Sequence, residues 1–178
     1  MKRLSRWFIL IFFLLFLNPL YSSEINIWGD TGIGIGMPLV LFSGTSLNLQ
    51  VKRMIFTLRN TDGNAFLFFF LPLPFFWYYY YHYEIKETAF LGGLSLIKKE
   101  FLRFSLSTGI SRCEDIYFKK TNGNIIKRKR KFKGFPVEAK LCITPSPILG
   151  IGLSYFVNIN SVKLFSGLLL CIHAGWLK

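Results

Sequence analysis

The chain has 178 residues, of which 22 are Lys or Arg and nine are Asp or Glu, so its formal net charge is +13. Its three cysteines are odd in number, widely spaced and without a CxxC pair, which argues against a disulfide framework. The excess of positive charge indicates anionic partners and names no reaction.

Residues 1–23 have the anatomy of a secretory signal peptide. Lys2, Arg3 and Arg6 form a basic start, an almost unbroken apolar run follows at residues 7–17, and polar residues end it. The run is shorter than the ~20 residues that a membrane-spanning helix needs, and an uncleaved anchor helix is the alternative.

Removal of the signal leaves residues 24–178, which fit one domain. This segment carries 19 basic and nine acidic residues, a net charge of +10. Because an exported protein does not meet the nucleic acids of the cell, we expect membrane lipid, lipopolysaccharide or another polyanion as partner, and no nucleic acid.

Alternating apolar and polar side chains predict strands along most of this domain. The first covers residues 25–36, and the second covers residues 45–58 with a bulge near Arg53. Residues 61–64, which contain Asp-Gly, are predicted to form a tight turn.

Residues 65–83 are almost wholly aromatic and aliphatic. Pro72 and Pro74 lie near the middle, where they would remove two hydrogen bonds of a helix. We therefore predict two strands joined by a tip bent at the prolines, with a membrane helix over residues 65–81 as the alternative.

The clearest alternation lies in residues 135–143 and 149–157. Phe135, Val137 and Leu141 share one face of the first of these strands, and Glu138 and Lys140 share the other. Further strands are predicted at residues 88–97, 101–111 and 162–177.

These segments make about eight strands with an alternating pattern of connections. The second, fourth and sixth connections are short, and the first, third and fifth are longer, as in an outer-membrane barrel with short periplasmic turns. The predicted fold is all-β, an antiparallel up-and-down barrel of about eight strands preceded by a signal peptide. Several outward faces carry no charge, as lipid contact requires.

Five charged residues are predicted to lie on the inward faces of this barrel. An interior of eight strands is just wide enough for side chains, so inward charges must pair with one another. The predicted interior polar cluster comprises Asp30, Lys52, Arg103, Glu138 and Lys140.

A polar segment at residues 114–133 is predicted to be a long basic loop with an Asn-Gly turn. Its cations could clamp the phosphates of lipopolysaccharide or another polyanion; the alternative is a solvated loop without specific binding. The candidate binding residues are Lys119, Lys120, Lys127, Arg128, Lys129, Arg130, Lys131 and Lys133.

The stretch 134–178 resembles a group of uncharacterised bacterial proteins with a signal peptide and a small outer-membrane-type β-barrel. The residues that carry the resemblance are Gly134-Phe135-Pro136-Val137-Glu138-Ala139, Thr144-Pro145, Leu149-Gly150-Ile151-Gly152-Leu153, Asn158-Ile159-Asn160 and Gly175-Trp176-Leu177-Lys178. The resemblance implies the barrel fold and no activity.

We expect no catalysis, cofactor or metal. His82 and His173 are the candidates for a base at neutral pH, and no Ser or Asp pattern places a nucleophile or an orienting acid beside His173. The predicted function is that of a small outer-membrane barrel with a structural or surface-interaction role. The alternatives are a soluble periplasmic or secreted β-barrel that binds a lipid-like ligand, and a small inner-membrane helical protein.

Overall fold

A computed structural model of the chain describes residues 25–37, 40–64, 83–98, 101–121 and 124–176. The predicted signal peptide and the Pro-bent aromatic tip lie outside these ranges. The strands are β1 (Ile25–Met37), β2 (Val40–Val51), β3 (Met54–Asn64), β4 (Tyr83–Lys98), β5 (Leu102–Thr121), β6 (Asn124–Ile143), β7 (Leu149–Asn160) and β8 (Phe165–Trp176).

The eight strands form one closed antiparallel barrel in which each strand pairs with its neighbours in sequence. β8 returns to β1 to close the sheet, with Ile27 opposite Trp176 and Met37 opposite Ser166. Closure leaves no exposed strand edge along the paired part of the sheet. The predicted eight-stranded up-and-down barrel is confirmed.

Apolar side chains cover the outside of this barrel. Every strand contributes a large apolar residue that is between 39% and 67% exposed: Ile33, Leu47, Leu58, Phe90, Leu106, Val137, Leu153 and Leu170. Every strand also contributes a polar residue to the inside that is at most 7% exposed: Asp30, Asn48, Arg59, Glu87, Ser111, Glu138, Asn158 and His173. The period of two along each strand therefore separates an apolar exterior from a polar interior.

The described ranges contain no helix long and apolar enough to cross a membrane.

The chain reverses earlier than the sequence predicts. The predicted second strand, residues 45–58, is divided by a two-residue turn at Lys52 and Arg53, where Lys52 has a φ of 55°. The predicted turn at residues 61–64 lies within β3 instead. Gly63 is needed there for space, because a Cβ atom would lie 2.5 Å from the Phe42 ring and 2.7 Å from Ile85.

The β-bulge also lies elsewhere. The predicted bulge near Arg53 is replaced by that turn, and the irregularity in pairing falls between Ser95 and Ile97, where β4 meets β5. The extra residue shifts the register of these two strands next to their connection.

Within the predicted basic loop, residues 114–121 and 124–133 form an extension of the sheet rather than an irregular loop. β5 and β6 are each 20 residues long and stay paired up to Thr121 and Asn124. β7 pairs with β6 only from Gly134 onward. We call residues 112–121 and 124–133 the ribbon, and the barrel end that carries it the ribbon end. The opposite end, where Ile25 and Trp176 lie, is the turn end.

Candidate functional site: polar interior and cationic ribbon

An aromatic cluster fills the barrel interior at the ribbon end. The Phe42 ring packs edge-on against Phe156 at 5.3 Å between centroids and stacks on Phe165 at 6.4 Å. These three side chains are at most 1% exposed, and Phe132 from the ribbon packs against the same cluster. The cluster therefore separates the interior from the ribbon side.

Below this cluster, one guanidinium joins two carboxylates. Arg59 contacts Glu87 at 2.7 Å and Glu138 at 3.1 Å, and its Cζ lies 4.7 Å from the centre of the Phe156 ring. Ser154 donates to Glu138 at 2.6 Å, and the Asn158 amide donates to Glu87. The contacts come from four strands, β3, β4, β6 and β7, and connect opposite walls of the barrel.

A second group centres on the Asp30 carboxylate. Lys140 contacts it at 2.5 Å, and Nδ1 of His173 lies 2.5 Å from the other carboxylate oxygen. Asn48 and Ser46 donate to the same carboxylate at 2.8 and 2.7 Å. Lys140 also lies 3.5 Å from Glu138, so the two groups form one network.

This network compensates the charges of side chains that are buried in the barrel interior and cannot be hydrated by solvent. Buried ions are tolerated only when partners and hydrogen bonds satisfy them, and removal of one partner leaves the other charge uncompensated. Acids and bases alternate from Glu87 through Arg59, Glu138 and Lys140 to Asp30. The network therefore cross-links the barrel wall through its interior.

Toward the turn end, the interior contains a small cavity of about 20 Å³. Trp28, Gln50, Arg103, Lys140 and His173 are among its lining residues. Arg103 reaches Gln50 at 3.4 Å and lies 6.0 Å from the Trp28 ring. A cavity of this size has room for about one water molecule.

The predicted interior cluster is placed as follows. Asp30, Glu138 and Lys140 lie in the network, and Arg103 lies in the interior near the cavity. Lys52 lies in the β2–β3 turn, because the chain reverses at that residue instead of continuing as a strand.

Arg59, Glu87 and His173 also belong to the network, although the predicted interior cluster does not include them. The signal was present for two of them, since Arg59 and Glu87 occupy alternate positions with inward neighbours such as Thr57 and Ala89. The misplaced turn at residues 61–64 concealed it.

The prediction that no acid lies beside His173 is wrong, because Asp30 contacts its ring. Asp30 on β1 lies opposite His173 on β8 and contacts its Nδ1. Its Nε2 has no hydrogen-bond partner among the described residues, and the side chain is 0% exposed. The His173 side chain also lines the cavity of about 20 Å³. The described residues also contain no cluster of His, Cys, Asp or Glu suited to a metal.

The ribbon presents different charges on its two faces. On the inward face, Arg130 lies 3.4 Å from Asp115, with its guanidinium 5.9 Å from the Tyr117 ring. On the outward face, Glu114 accepts from Lys129 at 2.5 Å and from Lys131 at 3.4 Å. The hydrogen bond from Lys129 is the main cause that lowers the pKa of the Glu114 carboxyl.

The predicted basic cluster is therefore split by the strand. Alternation places Lys127, Lys129, Lys131 and Lys133 on the outward face of β6 and Arg128 and Arg130 on the other. Lys119 and Lys120 belong to β5, and their side chains lie outside the described part of the structure. Five consecutive cations do not form one patch, because a strand sends neighbouring side chains to opposite sides.

Three solved structures illustrate what the barrel is similar to. Neisserial surface protein A is 11% identical, with 86% of this chain and 98% of that chain covered and a TM-score of 0.62. The N-terminal β-barrel domain of Pseudomonas aeruginosa OprF is 8% identical, with 85% and 97% covered and a TM-score of 0.62. Ail, the attachment invasion locus protein of Yersinia pestis, in complex with the heparin analogue sucrose octasulfate, is 9% identical, with 85% and 96% covered and a TM-score of 0.56.

No protein-family model matches the chain, and no curated protein matches it. The similarity to the solved structures concerns the fold.

Proposed function

We propose that this protein resides in the bacterial outer membrane as a small, packed β-barrel with a structural or surface-interaction role and no catalytic activity. The observation that carries the proposal is the apolar exterior, to which all eight strands contribute exposed side chains. In water such a surface would far exceed the apolar patches of ordinary monomeric proteins. In a bilayer it faces acyl chains, and strands of 11 residues or more are long enough to cross.

The interior argues against the soluble lipid-binding alternative. A barrel that holds a lipid needs an apolar cavity of several hundred Å³. Here the ribbon end is filled by Phe42, Phe156 and Phe165, the middle is filled by ion pairs, and the cavity near the turn end measures about 20 Å³.

The inner-membrane helical alternative required helices at residues 7–17 and 65–81, which lie outside the described residues. The described residues form a closed barrel. Besides the helix, a closed barrel is the structure in which all backbone hydrogen bonds can be made within lipid.

Membrane lipid, with lipopolysaccharide or another polyanion as a surface ligand, is the partner class that suits this barrel. The ribbon exposes Lys127, Lys129, Lys131 and Lys133 above the apolar exterior. One neighbour, Ail, is described in complex with a heparin analogue, a highly sulfated polyanion.

Cell fractionation tests the proposed location. The full chain, expressed in a Gram-negative host, is expected in the outer-membrane fraction, and its gel mobility in detergent is expected to change on boiling because a closed barrel resists unfolding. The control variant Leu153→Arg places a charge on the lipid-facing side and is expected to insert in lower yield, because such a charge costs about 2–4 kcal/mol near the bilayer midplane. Recovery of the wild-type chain in the aqueous fraction, or with the inner membrane, would contradict the proposal.

A further inference from the structure

The outward face of β6 changes from cationic to apolar at one point. Lys129, Lys131 and Lys133 are followed on the same face by Phe135 and Val137. Phe135 and Val137 are 50% and 39% exposed. On the neighbouring strand β5, the outward face changes in the same way from Ile110 to Arg112 (Ile110 is 72% exposed).

The pairing register aligns these two changes. Arg112 lies directly opposite Lys133, and both side chains are exposed. On the other side of Arg112 the partner in β4 is Thr88, whose hydroxyl donates to Asn60 at 2.8 Å. Two cations therefore stand side by side immediately above the apolar exterior, beside a neutral residue.

The next row toward the ribbon tip has a different charge pattern. Asp62 pairs with Lys86, Lys86 with Glu114, and Glu114 with Lys131, so that acid and base alternate across four strands. Glu114 is hydrogen-bonded to Lys129 and Lys131. Lys86, Lys129 and Lys131, which lie nearer the ribbon tip, therefore each have a carboxylate within ion-pair distance.

The Arg112–Lys133 row has no such compensation. Like charges directly opposite one another on adjacent strands destabilise a sheet. Among the described residues, no carboxylate lies within ion-pair distance of either side chain. An anion bound between the two would remove the repulsion.

We propose that Arg112 and Lys133 together bind the phosphate of a lipid headgroup in the outer leaflet. This inference rests on the proposed membrane location and names the ligand of the cationic surface. Arg presents a planar donor fork suited to phosphate oxygens, and Lys supplies a compact point charge.

The position of Arg112 and Lys133 at the edge of the apolar exterior favours a lipid over a soluble polyanion as the ligand. Ile110 and Phe135 precede and follow the two cations along their strands on the same face, so acyl chains that cover these apolar residues hold their headgroups at the level of Arg112 and Lys133. A soluble anion would have to enter the plane of the headgroups to reach both.

The test measures lipid preference in bilayers. The full chain is refolded into phosphatidylcholine vesicles that contain either spin-labelled phosphatidic acid or spin-labelled phosphatidylcholine. The association constants of the two probes are compared by electron paramagnetic resonance, and the wild type is expected to prefer phosphatidic acid by about fivefold or more, because cations at a membrane surface attract anionic lipid.

The double variant R112Q/K133Q is expected to lose this preference. The control variant R128Q/R130Q removes the same charge from the opposite face of β6 and is expected to keep it. If a double variant does not refold, as judged by gel mobility with and without boiling, the single substitutions replace it. Inorganic phosphate added at the concentration of the lipid is expected to leave the preference unchanged.

Equal loss in both double variants would show diffuse attraction and overturn the inference. Absence of any preference in a correctly inserted wild type would also overturn it while leaving the proposed function in place. Displacement of the lipid by inorganic phosphate would assign the pair to a soluble anion. Failure of the wild type to insert would count against the proposed function itself.

Discussion

At the scale of single residues, the interior network makes the barrel dependent on matched charges. Arg59 is 2% exposed and contacts Glu87 and Glu138, which are 3% and 4% exposed. Neither carboxylate can recover its lost hydration from solvent, so the guanidinium compensates both. The contribution of Arg59 to stability is therefore the free-energy cost of leaving Glu87 and Glu138 buried without a compensating charge.

We predict that Arg59→Leu lowers the free energy of unfolding by about 3–5 kcal/mol, the usual cost of breaking a buried pair. The measurement is urea unfolding of the full chain in lipid vesicles, followed by gel mobility. Arg128→Leu removes the same charge from an exposed position and is expected to change stability by less than about 0.5 kcal/mol. Adding Glu87→Gln and Glu138→Gln to Arg59→Leu should restore part of the loss. An Arg59→Leu protein as stable as the wild type would show that the network carries little of the stability.

The alternation of residues predicted which side chains face inward better than it predicted which of them contact each other. In residues 135–143 the two faces differ so clearly in polarity that the inward position of Glu138 and Lys140 followed from alternation alone. The contact of Arg59 with Glu138 joins residues 79 apart in sequence. It arises from the closure of the sheet, which no local pattern encodes.

At the scale of elements, the ribbon contributes less to barrel stability than the pairing of β1 with β8 does. From Asn124 to Lys133, β6 pairs with β5 alone, whereas β1 and β8 pair with each other along most of their length. The tip of the ribbon therefore contributes few of the contacts that hold the barrel closed.

We predict that replacing residues 118–127 by Asn-Gly leaves the barrel folded. Tyr117 and Arg128 are direct partners in the register, so a two-residue turn can join them. The shortened chain is expected to keep its change in gel mobility on boiling, with an unfolding free energy within about 1 kcal/mol of the full chain. Loss of insertion or of the mobility change would mean that the tip takes part in barrel formation.

Turn positions were the elements that the sequence predicted least well. Lys52 and Arg53 carry none of the Gly, Asn or Asp residues typical of tight turns, yet the chain reverses there. Gly63 follows Asp62 in a typical turn pair, yet it serves as space for Phe42 within a strand. Gly63 lies directly opposite Phe42 on the neighbouring strand, and the space that the Phe42 ring needs there is not visible in the local sequence.

At the scale of the whole molecule, one arrangement explains the composition. Apolar side chains lie outside, charges lie inside as pairs, and the excess of positive charge is concentrated on the ribbon end, where Arg112 and Lys127 to Lys133 are exposed. The arrangement inverts that of a water-soluble protein, and the proposed location in a bilayer accounts for it.

Oxygen and nickel accessibility of spin labels tests this arrangement most directly. The labels are attached after refolding in vesicles to Leu153→Cys, Leu170→Cys and, as the aqueous control, Lys131→Cys. The native thiols Cys113, Cys142 and Cys171 are buried and should not react. We predict that labels at Leu153 and Leu170 are relaxed by oxygen and hardly by a water-soluble nickel chelate, with the reverse at Lys131. Relaxation of the Leu153 and Leu170 labels by the nickel chelate would contradict the account.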